Sequence, residues 1–311
     1  MYKLFDIPFI NKPLGWILES IAGFMGGNFA ASIFLFTLLI NLALIPLSIK
    51  SQKSTIQQTR IKPKLDDLKK RYGDDKQKYS AAMQKLYQEE NVSMSGGCLP
   101  LLLRLVLMMC IYGIIMSPLT YLVHVNADTI KTATTALTEA FPKTQPTQLN
   151  IIAALNNPEF SFKGIESVRE ALNSINFDLY GIDLTQKPEF SFDIFDAWDK
   201  TWLMPIIAFA SQFLTSVIST KMQKKINPDM PNMSGMLLTM PLISLFIGFT
   251  LPGGVTFYWA CSSLIGGLIQ TAIQYFYGPH KMLATERLKE LNKQCEFEAG
   301  QIKKINSAQA E

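Results

Sequence analysis

Charge is the scarcest ingredient of this 311-residue chain, with 17% Asp, Glu, Lys and Arg where an ordinary soluble domain carries roughly a quarter. Cysteine and histidine are nearly as rare, at 4 and 2 residues. Cys98, Cys110, Cys261 and Cys295 include no CxxC pair, which argues against a disulfide scaffold and a thiolate metal centre. His124 and His280 leave little from which to build a zinc or Ser–His site. No phosphate loop, HExxH or GxSxG pattern occurs. The expectation is a protein that is not an enzyme and needs no cofactor or metal. A net charge of +4 is too small for a basic nucleic-acid binder, so no specific nucleic-acid site is expected.

What is abundant is uncharged apolar sequence. A helix needs about 20 residues to cross the hydrocarbon core of a bilayer. Ala30–Ile49 contains no charge, Cys98–Val123 contains only Arg104, and Leu203–Met222 contains only Lys221. Met236–Leu251 and Val255–Tyr277 are separated by Pro252-Gly253-Gly254. Proline removes a helix donor and each glycine costs about 1 kcal/mol in a helix interior, so this pair reads as two spans joined by a tight turn. Five spans result, the fourth short enough to call for local thinning of the bilayer.

The remaining charges orient the spans. Residues 50–97 hold eleven Lys/Arg against six Asp/Glu, and the tail 278–311 holds six against five. Lys221, Lys224 and Lys225 face a single Asp229, whereas 124–201 hold six basic and eleven acidic residues. Every basic-rich segment lies on one side if the N-terminus is outside and the C-terminus is cytoplasmic, the arrangement expected in a multi-pass bacterial cell membrane protein.

Residues 1–28 lack the basic start and cleavage site of a signal peptide. Leu14, Ile17, Leu18, Ile21 and Met25 recur at helical spacing beside Trp16, which reads as an amphipathic helix on the outer surface. Residues 50–97 read as a helical hairpin that places Ile61, Leu65, Leu68 and Tyr72 on one arm and Tyr79, Ala82, Met83, Leu86 and Tyr87 on the other. Weak helical patterns at Thr129–Phe141, Gln148–Asn156 and Ile165–Ile175 mark a small helical outer subdomain. The expected class is all-α. Its order is an outer interfacial helix over 1–28, a span at 29–49, a cytoplasmic helical hairpin at 50–97 and a span at 98–123. An extracellular insertion at 124–201, a span at 202–222, an inner loop at 223–235, a span pair at 236–277 and a cytoplasmic tail at 278–311 complete it.

An ionisable residue within a span is costly and is a candidate for function. Arg104 lies six residues inside span two, roughly 9 Å deep, and Asn41 lies eight residues from the inner end of span one, roughly 12 Å deep, at 1.5 Å per residue. The two share a level. Thr37 lies on the Asn41 face, Gln212 and Ser216 share a face of span three, and Ser263 and Gln270 share a face of span five. Small polar residues are ordinary packing residues in membrane helices, and an arginine can snorkel towards the headgroups. Three polar faces at the level of one arginine nevertheless point to a wet groove open to the cytoplasm.

Several motifs together resemble the YidC-type membrane protein insertases, in their Gram-positive-like form. They are Leu44-Ile45-Pro46-Leu47, Ile61-Lys62-Pro63, Gly96-Gly97-Cys98-Leu99-Pro100-Leu101-Leu102, Tyr180-Gly181-Ile182-Asp183-Leu184, and Pro252-Gly253-Gly254 followed by Phe257-Tyr258-Trp259. Their order and spacing cover residues 10–123 and 176–280. The resemblance implies five spans around a hydrophilic groove that receives the polar, often acidic, part of a nascent membrane protein. It implies a phospholipid bilayer, the ribosome and the Sec translocon as further partners. The family's groove cation stands at the position of Asn41, and relatives usually carry glutamine where this chain has Arg104. The charge thus moves to a neighbouring helix, and Arg104 becomes the expected groove cation. The alternative is a channel or transporter using Arg104 as an intramembrane anion site, although no internal repeat supports it.

Overall fold

The computed structural model describes residues 8–90, 92–93, 98–188, 199–226, 234–278, 288, 291–292 and 294–300. Gly96-Gly97, Asp229 and most of the tail lie outside the described residues, as do the side chains of Arg104 and Lys225. The chain is mostly helical and divides into two compact units. The first comprises residues 1–45, 101–221 and 231–269, the second 46–100, 222–230 and 270–311.

The first unit begins with α1 (Pro8–Phe24) and α2 (Phe29–Ala43). The turn between them needs Gly27, whose φ is +79° and whose Cβ, if present, would lie 2.0 Å from the Ser174 carbonyl oxygen. Asn28 then caps α2, its side chain accepting from the Ala31 N–H at 2.9 Å, which satisfies one of the orphan donors of the first turn. The stripe of α1 is turned towards protein: Leu18 and Ile21 are buried, and Leu14, Ile17 and Met25 pack on the same core. The apolar side chains that α1 leaves exposed are Phe9, Trp16 and Phe24.

Helix α5 (Cys98–Met116) contributes Ile111, Ile114 and Ile115 to that core, beside Phe29, Ile33 and Phe36 of α2. On the other side of α2, Phe34, Leu39 and Leu42 are exposed, as are Leu102, Leu103, Leu105 and Val106 on α5. Helices apolar all round, with one face packed and the other left bare, suit a lipid solvent and not water. After the short α6 (Pro118–Tyr121) come α7 (Ala127–Ala140), α8 (Gln148–Ala154) and α9 (Ile165–Leu172). They enclose a second core of Leu119, Leu137, Ile151, Phe160, Phe162 and Val168.

A two-stranded ribbon follows, which the all-α expectation did not contain. β1 (Asp178–Leu179) pairs antiparallel with β2 (Ile182–Asp183). Tyr180 and Gly181 between them have φ of +53° and +83°, the double positive φ of a hairpin turn that follows strand twist. Ile182 and Leu184 are buried in the first core.

Lys200–Trp202 forms a 3-10 turn leading into α10 (Leu203–Ile226), and α11 (Ser234–Gly248) and α12 (Gly253–Phe276) follow. Among the described residues, Lys200–Met222 is the one single helix long and apolar enough to cross a membrane, and only 22% of its most apolar window is buried. So low a burial is unlike the core helix of a soluble domain. α2 passes the same test when joined to the start of α3 across the break at Leu44. At Pro46 the donor needed to continue the ladder is missing. The 15 residues of α11 reach about 22 Å, short of a hydrocarbon core of about 30 Å.

Pro252-Gly253-Gly254 does more than turn the chain. The N–H groups of Gly253 and Gly254 donate to the carbonyls of Gln186 and Leu184, both at 2.8 Å, so the segment after β2 satisfies the first donors of α12. A Cβ on Gly254 would meet Ile115 and the Phe29 ring at 3.3 Å. Asp183 organises the crossing strand, accepting from Thr185 N at 2.8 Å and Thr185 Oγ1 at 2.6 Å, while Gln186 Nε2 donates to it at 3.0 Å.

The second unit holds the hairpin of α3 (Ile45–Tyr72, from Pro46 onward) and α4 (Lys76–Glu89). Asp75 caps α4, accepting from the Lys78 N–H at 3.1 Å. Ile61 is buried, and Leu65, Leu68, Tyr79, Ala82, Met83, Leu86 and Tyr87 are half-buried, while Tyr72 at the tip is exposed. Glu90 clasps the two arms through Arg60 at 3.1 Å and Lys64.

Candidate functional site

A cavity of about 440 Å³ opens in the first unit, walled by α5, α10, α11 and α12. Most of its wall is apolar: Leu105 and Met108 from α5, Ile243 and Ile247 from α11, and Tyr258 and Trp259 from α12. A polar strip crosses it, formed by Gln212, Ser244, Ser262 and Ser263. Each of these residues takes part in polar or aromatic contacts. Ser244 donates to the Gln212 side-chain oxygen. Ser263 and Thr215 share a hydroxyl–hydroxyl bond of 3.1 Å. Such neutral pairs satisfy polar groups without placing charge in a poorly screened interior.

Close helix approach makes these pairs possible. A Cβ on Gly267 would sit 2.3 Å from the Thr215 methyl, so glycine there lets α12 lie against α10. Ser211 and Thr215 also return hydroxyl protons to carbonyls of their own helix, Ile207 at 2.6 Å and Ser211 at 3.0 Å. This back-bonding is the usual refuge of hydroxyls in apolar helices.

The candidate residues named from sequence divide accordingly. Gln212 and Ser263 come together in the cavity wall, whereas Ser216 is half-buried on α10 and does not line it. Thr37 is fully buried and donates to the Ile33 carbonyl at 2.6 Å, and Asn41 donates to the Thr37 carbonyl at 2.8 Å. Their polarity is engaged along α2. Gln270 belongs to the second unit, where its amide donates to Gln52 at 3.1 Å. Nearby on the same helix, the buried side-chain oxygen of Gln274 has no hydrogen-bond partner among the described residues. Arg104 is in α5, but its side chain lies outside the described residues. Its backbone register is one turn before Met108 and one residue before Leu105, both in the wall.

Ser244 and Ser262 were missed in sequence. Lone serines carry no signal in an apolar run until the face each helix turns inward is known. Among the described residues no group of three or more His, Cys, Asp or Glu could hold a metal ion. Just after α6, His124 Nε2 lies 2.9 Å from Glu19 of α1.

Comparison with known proteins agrees with this architecture. The model of the 60Kd inner membrane protein family matches residues 20–280. The chain is 26% identical over 259 residues to membrane protein insertase YidC of Ectopseudomonas mendocina, covering 83% of this chain and 32% of that protein. It is similarly 26% identical over 260 residues to membrane protein insertase YidC 2 of Listeria innocua, covering 82% of this chain and 67% of that protein. A shorter stretch of 107 residues, 34% of this chain and 19% of the relative, is 43% identical to YidC of Cellvibrio japonicus. The chain thus spans about a third or less of the longer relatives and two thirds of the Listeria protein. With a family match over most of its length and helices that leave apolar faces bare, the chain belongs to the 60Kd inner membrane protein family, the YidC-type bacterial membrane proteins.

Proposed function

We propose that the chain is a membrane protein insertase and chaperone, receiving the polar segment of short nascent membrane proteins in a groove open to the cytoplasm. The observation that carries this reading is the cavity of Gln212, Ser244, Ser262 and Ser263 among helices whose outer faces are apolar and exposed. A polar strip at membrane depth lowers the cost of moving a hydrophilic segment through hydrocarbon. In this reading five spans surround the groove, at 29–49, 98–123, 202–222 and the pair within 236–277, with the N-terminus outside and the C-terminus inside. The bilayer is a partner, and ribosome and Sec translocon supply or share substrates.

Arg104 is the groove cation in this proposal. Helical periodicity supports it, because residues 104 and 108 fall on one face of α5 and Met108 lines the cavity. A cation in a poorly screened site attracts a carboxylate more strongly than it would in water. Asn41 and Ser216 carry the polar lining beyond the cavity wall in this reading, with the buried Thr37 supporting Asn41 along α2. No nucleotide hydrolysis is required: partial hydration and charge pairing reduce the barrier, and burial of the apolar segment in lipid drives insertion.

Site-specific crosslinking from positions 41 and 104 to a ribosome-stalled nascent chain in vesicles tests this directly. Crosslinks from both positions are the expected result; crosslinks from neither sink the groove mechanism. Purified protein that conducts ions in liposomes yet inserts no substrate would instead favour the channel or transporter reading, for which the described residues offer no specific observation.

A further inference from the structure

The turn of the β1–β2 ribbon holds one residue in a conformation that nothing within the protein compensates. Tyr180 has φ of +53°, a region that a bulky side chain enters only at a cost. Glycine or asparagine fills such turns more easily. The side chain regains nothing by packing, since Tyr180 is 95% exposed. Beside it a cation lies over the turn: a Cβ on Gly181 would sit 3.3 Å from the Lys200 Nζ. The neighbouring carboxylates are engaged elsewhere, Asp178 accepting from the Gly181 N–H at 2.9 Å and Asp199 from the Thr201 hydroxyl at 2.7 Å. Among the described residues Lys200 makes no ion pair.

The position of this pair along the chain says what meets it. Lys200 opens the 3-10 turn that runs directly into α10 at Leu203. Leu203, Ile206 and Ile207 are exposed apolar side chains, on the helix long and apolar enough to cross a membrane. From Lys200 to Leu203 a helix rises roughly 5 Å. The headgroup layer outside each face of the hydrocarbon core is roughly 5–8 Å thick, so Lys200 falls within it when Leu203 enters the core. Tyrosine and lysine suit that layer because each joins an apolar body to a polar tip.

We propose that the Tyr180–Gly181 tip and Lys200 anchor the start of α10 to phospholipid headgroups, the Lys200 ammonium on a lipid phosphate and the Tyr180 ring among the headgroups beside it. The partner is the bilayer that the exposed apolar face of α10 already implies, and the patch continues that surface into its polar layer. The ribbon keeps a strained tyrosine because the residue's contact is with lipid and not with protein. The anchor shares no residue with the cavity, and it rests on the reading that α10 spans the bilayer.

The test uses the full chain in phosphatidylcholine–phosphatidylglycerol vesicles containing one of two photolabels. One is a phosphatidylethanolamine with a diazirine on its headgroup, the other a phosphatidylcholine with a diazirine at mid-chain. Labelled residues are mapped by mass spectrometry. The headgroup probe is expected to label Tyr180 and Lys200 at least fivefold more than the mid-chain probe does. Leu214, exposed on α10 and about 16 Å along the helix from Leu203, should show the reverse preference. Lys200→Gln should cut headgroup label at Tyr180 at least threefold. Tyr180→Gly, which relieves the positive φ, should raise the Tm in detergent while reducing headgroup label at Lys200. Three results overturn the anchor and leave the span intact: mid-chain label at Leu214 without headgroup label at Tyr180, unchanged Tyr180 label in Lys200→Gln, or a lower Tm in Tyr180→Gly. Absence of mid-chain label at Leu214 overturns the span reading and the anchor with it.

Discussion

The polar strip of the cavity and the clasp of the hairpin solve the same problem in opposite media. In the cavity, Gln212, Ser244, Thr215 and Ser263 pair as neutral groups inside an apolar wall. At the hairpin base, Glu90 meets Arg60 and Lys64 where all three side chains remain accessible to water. Charge costs little at the hairpin because water screens it, and contributes correspondingly little. In the cavity the same charges would carry a large desolvation penalty, so neutral hydroxyl and amide pairs take their place. In the proposed groove, one charge such as that of Arg104 would therefore matter more than the eleven basic residues of the hairpin segment 50–97.

The sharpest way to break this contrast is to remove the proposed groove charge, Arg104. Arg104→Ala is expected to reduce insertion of acidic-tailed substrates at least tenfold in a reconstituted assay, and Asn41→Arg in the same chain is expected to restore it. Normal insertion by Arg104→Ala would refute the role assigned to Arg104. Next in size is a backbone effect common to neither region. Gly27→Val forces a branched side chain into φ of +79° against the Ser174 carbonyl, and a loss of about 3 kcal/mol is expected from such strain and overlap, read as a lowered Tm in detergent.

Smaller effects sharpen the comparison itself. Gln212→Ala removes the amide oxygen to which Ser244 donates and should cost about 1 kcal/mol. The double variant Gln212→Leu with Ser244→Ala should regain most of that stability while still slowing insertion. Equal stability loss in the double variant would mean that the amide serves packing and not pairing.

The smallest effect belongs to the exposed clasp. The Lys64 hydrogen bond first, opposed next by partial desolvation and then aided by the charges of Lys64 and Arg60, holds the Glu90 carboxyl below its ordinary value near 4.5. Its contribution is therefore present above the unfolded carboxylate pKa and disappears as pH falls through the lower folded value. Amide exchange at the ends of α3 and α4 should speed up over that acid range and with added salt, whereas exchange in α10 should not respond. A Glu90→Gln chain that keeps the pH response would remove Glu90 as its source.

Much of the helical layout was legible because it depends on local pattern. The arms broke at Gly73-Asp74-Asp75 as the turn signal required, and Thr129–Phe141, Gln148–Asn156 and Ile165–Ile175 correspond to α7, α8 and α9 within a few residues. The ribbon at Asp178–Asp183 was not legible. Two-residue strands have no periodicity to detect, and Tyr180 is an unusual residue for positive φ. The Pro252-Gly253-Gly254 break was visible, but its reason was not. Those glycines admit the backbone of Leu184 and Gln186 over the start of α12, a contact between segments some 70 positions apart in sequence.

For the site, composition alone selected Gln212 and Ser263, because polar residues are conspicuous in apolar runs. It could not separate them from Thr37, Asn41 and Ser216, which share that property but spend it elsewhere or sit off the wall. The lack of charge, the long apolar runs and the lone Arg104 belonged to the sequence by itself, since the transfer cost of each residue is a property of its own side chain. Which polar groups meet, which glycine a neighbour presses against, and that Ser244 and Ser262 complete the strip were decided only by tertiary structure. The physical reason is directional: a hydrogen bond needs two groups within about 3 Å and correctly aimed, and no local pattern records which face one helix turns to another.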